Sequence, residues 1–296
     1  MLYKASQISI LISMKKIAFS KYHGLGNDFI IMDRIKKRKG ADRLDKLAIE
    51  ICRRNFGVGA DGILVLTGSK IADCRMDIYN SDGSWAEKSG NGLRIAAAYY
   101  HAFCAKNRKI AIESGDGISE ARIIRAGRRT SMVRVSLGKP LFETRLVPIK
   151  SRSKFHINRP IKIGNLSLNV TALSVGNPHT VIFVDSFDFD WKELGRKIEN
   201  APLFPRRTNV EFARIVNHSK LILNDWERGA GATGSSGTGA AAAVVAGVVN
   251  GYLKRQVEVI FPAGSLFIDW SEKDDIIYLT GPVEFICRGE YHFGVR

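Results

Sequence analysis

The sequence predicts an α+β fold made of two pseudo-symmetric copies of one unit, each a central helix wrapped by strands. Three observations predict it. Short runs alternating between apolar and polar residues recur along the chain, the pattern of strands. Two apolar segments, residues 93–103 and 240–249, interrupt them. The second has almost no polar residue, so it is expected to be buried all round. Each segment follows a Ser-Gly-x-Gly motif: Ser89-Gly90-Asn91-Gly92 and Ser236-Gly237-Thr238-Gly239.

Taken in order, residues 16–20 and 29–32 read as strands on either side of Tyr22-His23-Gly24-Leu25-Gly26-Asn27-Asp28. Residues 35–42 form a basic loop. Within 43–54, Leu44, Leu47, Ala48 and Ile51 fall at helical spacing. Strands follow at 62–66 and 74–79, and the polar, glycine-bearing stretch 80–92 leads into the helix at 93–103. Strands at 109–113, 118–124 and 132–136 end at the breaker Gly138-Lys139-Pro140. The region from there to Pro160 is poor in pattern and is where the two units are expected to join. Strands resume near 161–170 and at 180–184, with a helix at 191–198 and strands at 208–215 and 220–226. The glycine-rich stretch 228–239 opens the helix at 240–249. Strands at 257–261, 265–270, 276–280 and 283–286 close the chain.

The two halves repeat. Gly26-Asn27 answers Gly176-Asn177, and the two Ser-Gly-x-Gly motifs follow at nearly equal distances. Asn80 and Glu227 stand at the same offset before Ser89 and Ser236. Two facing copies bring two helix N-termini to one cleft. Their unpaired N–H groups suit a carboxylate.

A hydrophobic share of 45% and a charged share of 25% exclude a disordered chain. The net charge of +16 is scattered, without aromatic interleaving, which reads as a solvated basic surface and not a nucleic-acid interface. Cys52, Cys74, Cys104 and Cys287 share no metal or disulfide spacing. They read as reduced thiols of a cytoplasmic protein. No apolar run has the length of a membrane span. The glycine loops lack a Walker lysine, and neither a cofactor nor a metal is expected.

The stretches KYHGLGNDF (21–29), FGVGADG (56–62), YNSDGSWAEKSGNGLR (79–94), VGNPHTV (175–181), TNVEF (208–212), WERGAGATGSSGTGAAAA (226–243) and FPAGSL (261–266) together resemble the diaminopimelate epimerase family. The resemblance implies two similar domains, each a mixed β-barrel around a central helix, with the active site between them. It implies cofactor-independent interconversion of LL- and meso-diaminopimelate in lysine and peptidoglycan precursor synthesis, by a homodimer acting on a small amino-acid substrate. The expected division is a disordered tail at 1–14, a first domain at 15–137 to which 282–296 returns, and a second at 138–281.

The family reads Cys-Gly-Asn-Gly and Cys-Gly-[Ser/Thr]-Gly where this chain has Ser89 and Ser236. One cysteine removes the substrate's α-proton and the other delivers a proton to the opposite face. A thiol ionises near ~8.5, and a helix N-terminus lowers that value. A hydroxyl needs an adjacent base. His179 and Glu227 are the candidates to assist the two serines. By the same resemblance Asn27, Asn80, Asn177 and Asn209 are amide ligands of the substrate. Glu227 and Arg228 read its amino and carboxylate groups, and Gly90, Asn91, Gly237 and Thr238 supply backbone donors. Ala232 stands where the family usually has Glu, which is expected to loosen the loop around Ser236. Two other readings stay open: a one-base isomerase or dehydratase, and an inactive amino-acid-binding paralogue.

Overall fold

A computed structural model describes residues 14–36, 43–115 and 117–294. Its first half runs β1 (Met14–Gly24), β2 (Asn27–Arg34), α1 (Leu44–Ile51), β3 (Gly62–Thr67), β4 (Cys74–Asn80), β5 (Trp85–Ala86), α2 (Gly90–Phe103), β6 (Lys109–Ser114), β7 (Gly117–Ala126) and β8 (Thr130–Gly138). The second runs β9 (His156–Ile163), β10 (Leu166–Ser174), β11 (Pro178–Phe183), α3 (Trp191–Glu199), β12 (Asn209–Asn217), β13 (Lys220–Glu227), β14 (Gly231–Ala232), α4 (Gly237–Val249), β15 (Gln256–Phe261), β16 (Gly264–Trp270) and β17 (Ile277–Gly294).

β1, β2, β3, β4, β6, β7, β8 and β17 pair in a closed ring, with β2–β3 and β4–β6 parallel and the rest antiparallel. The second half repeats the sequence of pairings. β10–β11, β12–β13, β15–β16 and β16–β17 are antiparallel, and β11–β12 and β13–β15 are parallel. The closure is physical economy: a barrel leaves no long edge unpaired. Inward residues alternate, as Cys74, Met76 and Ile78 do on β4. The closed ring encloses α2, and the second set of strands packs around α4. α2 is buried from Gly90 to Tyr99, and α4 from Gly237 to Gly247. In α4 only Gly, Ala, Val and Thr occupy that buried length, so strands can approach it from every side.

Both helices begin earlier than their apolar segments. The Ser-Gly-x-Gly glycines form the first turn, because each serine is an extended N-cap whose Oγ accepts from the backbone N–H three residues on. Ser89 accepts from Gly92 at 3.0 Å and Ser236 from Gly239 at 3.1 Å. The two strands expected at 276–280 and 283–286 are one strand, β17. Gly281-Pro282 does not break it, because its edge there passes from β16, paired through Thr280, to β1, paired from Glu284. A proline's missing N–H is tolerated in such a gap. Residues 1–13 and 37–42, read as tail and as basic loop, lie outside the described residues, and Met14 opens β1 rather than ending a tail. Among the described residues no helix is long and apolar enough to cross a membrane.

Candidate active site

α2 and α4 meet tip to tip. A Cβ built on Gly90 would lie 3.4 Å from the Gly237 Cα, and one built on Gly237 would lie 3.3 Å from the Gly90 Cα. Glycine at both positions keeps this approach free of any Cβ, and a Cβ at either would also press on Leu279. The two N-capping serines therefore open onto one cleft of 740 Å³ between the units. Two sets of helix N-terminal N–H groups and two positive dipole ends converge there. Gly90→Ala is expected to crowd the tip, since the new Cβ would sit 2.9 Å from Cδ2 of buried Leu279 and push that side chain aside. Overpacking of this kind costs about 1–3 kcal/mol, measurable by denaturant unfolding, and ligand affinity should fall with it.

Every residue expected at the site lines this cleft except His179. Asn27 is fixed from both ends of its amide. Its Oδ1 accepts from Asn91 Nδ2 at 2.9 Å, and its Nδ2 donates to Asp61 at 2.8 Å. Behind Asn91 stands Arg94, fully buried, donating to Asn91 Oδ1 at 2.7 Å. Burial pushes its guanidinium down to about 9, still a cation at neutral pH. Asn209 ties two cleft loops together, donating to the Pro178 carbonyl and accepting from the Arg228 N–H, both at 2.8 Å. Asn80 donates to Ser84 Oγ at 3.0 Å. Arg228 reaches across the cleft to Glu87 at 3.9 Å, a carboxylate that a bound carboxylate would displace.

His179 lies beneath the cleft, 1% exposed. Its Nε2 contacts Asn177 Oδ1 at 2.8 Å, and its Nδ1 contacts Glu211 Oε1 at 2.6 Å. Asn177 donates through its Nδ2 to Thr238 Oγ1, so its Oδ1 accepts from His179. Both ring nitrogens are thus engaged within the protein. The assisting role expected of His179 becomes one of orienting Asn177, because a base must have a nitrogen free toward its substrate.

Of the two expected assistants Glu227 remains in the cleft, and burial raises its pKa. Its Oε1 accepts from Thr233 Oγ1 at 2.6 Å. The loop around Ser236, expected to loosen at Ala232, is held. β14 pairs with β13, and Ser235 Oγ donates to the Leu25 carbonyl of the other unit at 3.0 Å.

Sequence reasoning gave no role to Glu199, the last residue of α3. It is 4% exposed and accepts from Trp226 Nε1 at 2.7 Å, the Gly229 N–H at 2.9 Å and Arg207 at 3.0 Å. The bonds from Trp226 and Gly229 clamp the segment that carries Glu227 and Arg228, and the bond from Arg207 steadies Glu199. Glu199→Ala is expected to weaken ligand binding at least about tenfold by freeing that segment, a loss of about 1.4 kcal/mol that calorimetry would register.

The profile of the diaminopimelate epimerase family matches residues 19–143 and 171–286, one stretch in each unit. The chain belongs to the diaminopimelate epimerase family. The diaminopimelate epimerase of Carboxydothermus hydrogenoformans is 44% identical over 92% of this chain and 98% of its own length. That of Pelotomaculum thermopropionicum is 43% identical over 93% and 99%. Among solved structures, a probable proline racemase from Agrobacterium radiobacter K84 superposes with a TM-score of 0.69, covering 95% of this chain and 93% of its own. A hydroxyproline epimerase from Agrobacterium vitis does so at 0.67, over 95% and 92%. Both are 13% identical, so they speak for the fold alone, and that α+β fold is the one expected.

Proposed function

We propose that the cleft binds diaminopimelate with its α-carbon between Ser89 and Ser236, and that the chain works in the cofactor-independent epimerase class. The observation that carries this reading is the contact of Gly90 with Gly237, which aims both helix tips at one point. The substrate's carboxylate takes the helix N–H groups of Gly90, Asn91, Gly237 and Thr238. Glu227 and Arg228 meet its charged groups, while Asn27, Asn80, Asn177 and Asn209 line and orient the cleft. With hydroxyls at both tips the two-thiol route is closed, so inversion is slow. Glu227 then serves as the base, with proton exchange mainly on its own face.

On this reading the protein is a cytoplasmic homodimer of lysine biosynthesis. Its two domains comprise 15–137, with 282–296 returning, and 138–281. Light scattering tests the dimer against the 32.8 kDa chain. The test of function is calorimetry with LL- and meso-diaminopimelate, together with solvent-deuterium exchange at the α-carbon. Binding of either isomer with exchange far faster than inversion is expected. Absence of binding by both isomers would end the reading.

A further inference from the structure

Thr233 Oγ1 lies 2.5 Å from Asp225 Oδ2 and 2.6 Å from Glu227 Oε1. A hydroxyl has one hydrogen and cannot donate to both carboxylates. Two contacts this short each need a hydrogen, so the second comes from a carboxyl group. Asp225 is the one that supplies it. It is 1% exposed, and its other oxygen, Oδ1, is buried with no hydrogen-bond partner. A carboxylate in that position would be a buried anion with an unsatisfied oxygen, which costs far more than a neutral acid there.

We infer that Asp225, Thr233 and Glu227 form a proton relay, in which Asp225 stores a proton behind the cleft and shares it with Glu227 through the Thr233 hydroxyl. The step balances. Asp225 gives its proton to Thr233 Oγ1 as Thr233 gives its own to Glu227. Asp225 ends as the carboxylate and Glu227 as the acid, with no net change in charge or atoms. Glu227 can thus face the cleft in either protonation state without exchanging a proton with water.

The surroundings favour a single shared proton. Glu211 on β12 stands directly across from Asp225 on β13, and Asp61 from the first unit adds its charge near Glu227. His179 on β11 is already bonded to Glu211, and the nearby cation Arg54 is already paired with Asp61 at 2.7 Å. Burial, then the charge of Glu227, raises Asp225 well above the usual carboxylate range. The inference rests on the proposed proton-transfer function of the cleft only for its use, not for the existence of the shared proton.

Infrared spectroscopy of the full chain at neutral pH tests it. Asp225→Asn keeps a donor toward Thr233, so the fold should be retained. The carbonyl band of one protonated carboxyl should disappear in the wild-type-minus-variant difference spectrum. A difference spectrum showing only loss of an ionised carboxylate would overturn the proposal. In solvent-deuterium exchange with diaminopimelate, Thr233→Val is expected to slow exchange at least tenfold and shift its pH profile, while Thr233→Ser retains both. Equal exchange in the Val and Ser variants would also overturn it. Should diaminopimelate fail to bind any variant, the functional reading falls, and the infrared result still decides whether the proton is shared.

Discussion

Ser89→Cys together with Ser236→Cys is expected to raise epimerisation of diaminopimelate by about a thousandfold, mid-range for the roughly 10²–10⁴ that a positioned proton-transfer group supplies. The scaffold is already in place. Each serine is an N-cap at the first turn of a buried helix, and the two tips touch at Gly90 and Gly237. Sulfur in either position would sit at a positive helix end, which favours thiolate. A hydroxyl in the same place stays protonated and only donates or accepts hydrogen bonds. The single variants separate the two faces. Each is expected to speed α-proton exchange from one stereoisomer while inversion stays slow, because the opposite face still lacks its acid. Isomer ratios and deuterium content, followed together by mass spectrometry and NMR, check this. Inversion no faster in the double variant than in the parent would remove the two-tip mechanism.

Much of this was legible in the chain. The duplicated Ser-Gly-x-Gly, with Asn80 and Glu227 at one offset, fixed where the cleft lies. What escaped depends on cross-strand register. In Lys220–Glu227, Leu221, Leu223 and Asp225 share the inward face. A carboxylate in phase with two buried leucines is a signal that period two could have supplied. Its partner Glu211 is likewise inward on β12, but nothing local says that the two stand opposite each other. His179 shows the converse. Its motif marks it as a site residue, while its burial and both ring contacts are set by strands β11 and β12 running parallel, a pairing that sequence spacing does not reveal. Glu199 is further removed still, because its donors come from two separate segments after α3, one at Arg207 and one at Trp226 and Gly229.

The His179–Glu211 pair carries the second large expectation. His179→Leu should destabilise the protein by about 3–5 kcal/mol, the cost of leaving a buried charge without its partner. Both side chains are 1% exposed, and Glu211 Oε2 already has no partner, so the carboxylate would keep only its backbone hydrogen bond from Thr180. Asn177 Oδ1 would lose its donor as well. Burial raises the pKa of Glu211, so the sign with pH follows. The variant is most nearly normal in acid, where Glu211 is protonated in both folded and unfolded states. Its deficit grows as pH rises from the wild-type folded pKa of Glu211 to the still higher one it has without the histidine, whose presence lowers it. Adding Glu211→Leu to His179→Leu removes the stranded charge, so the double variant is expected to regain most of the lost stability and to lose that pH dependence. Denaturant unfolding of the four proteins of this cycle at two pH values measures both effects. Additive losses, with no recovery in the double variant, would mean that the pair contributes through packing and not through its charge.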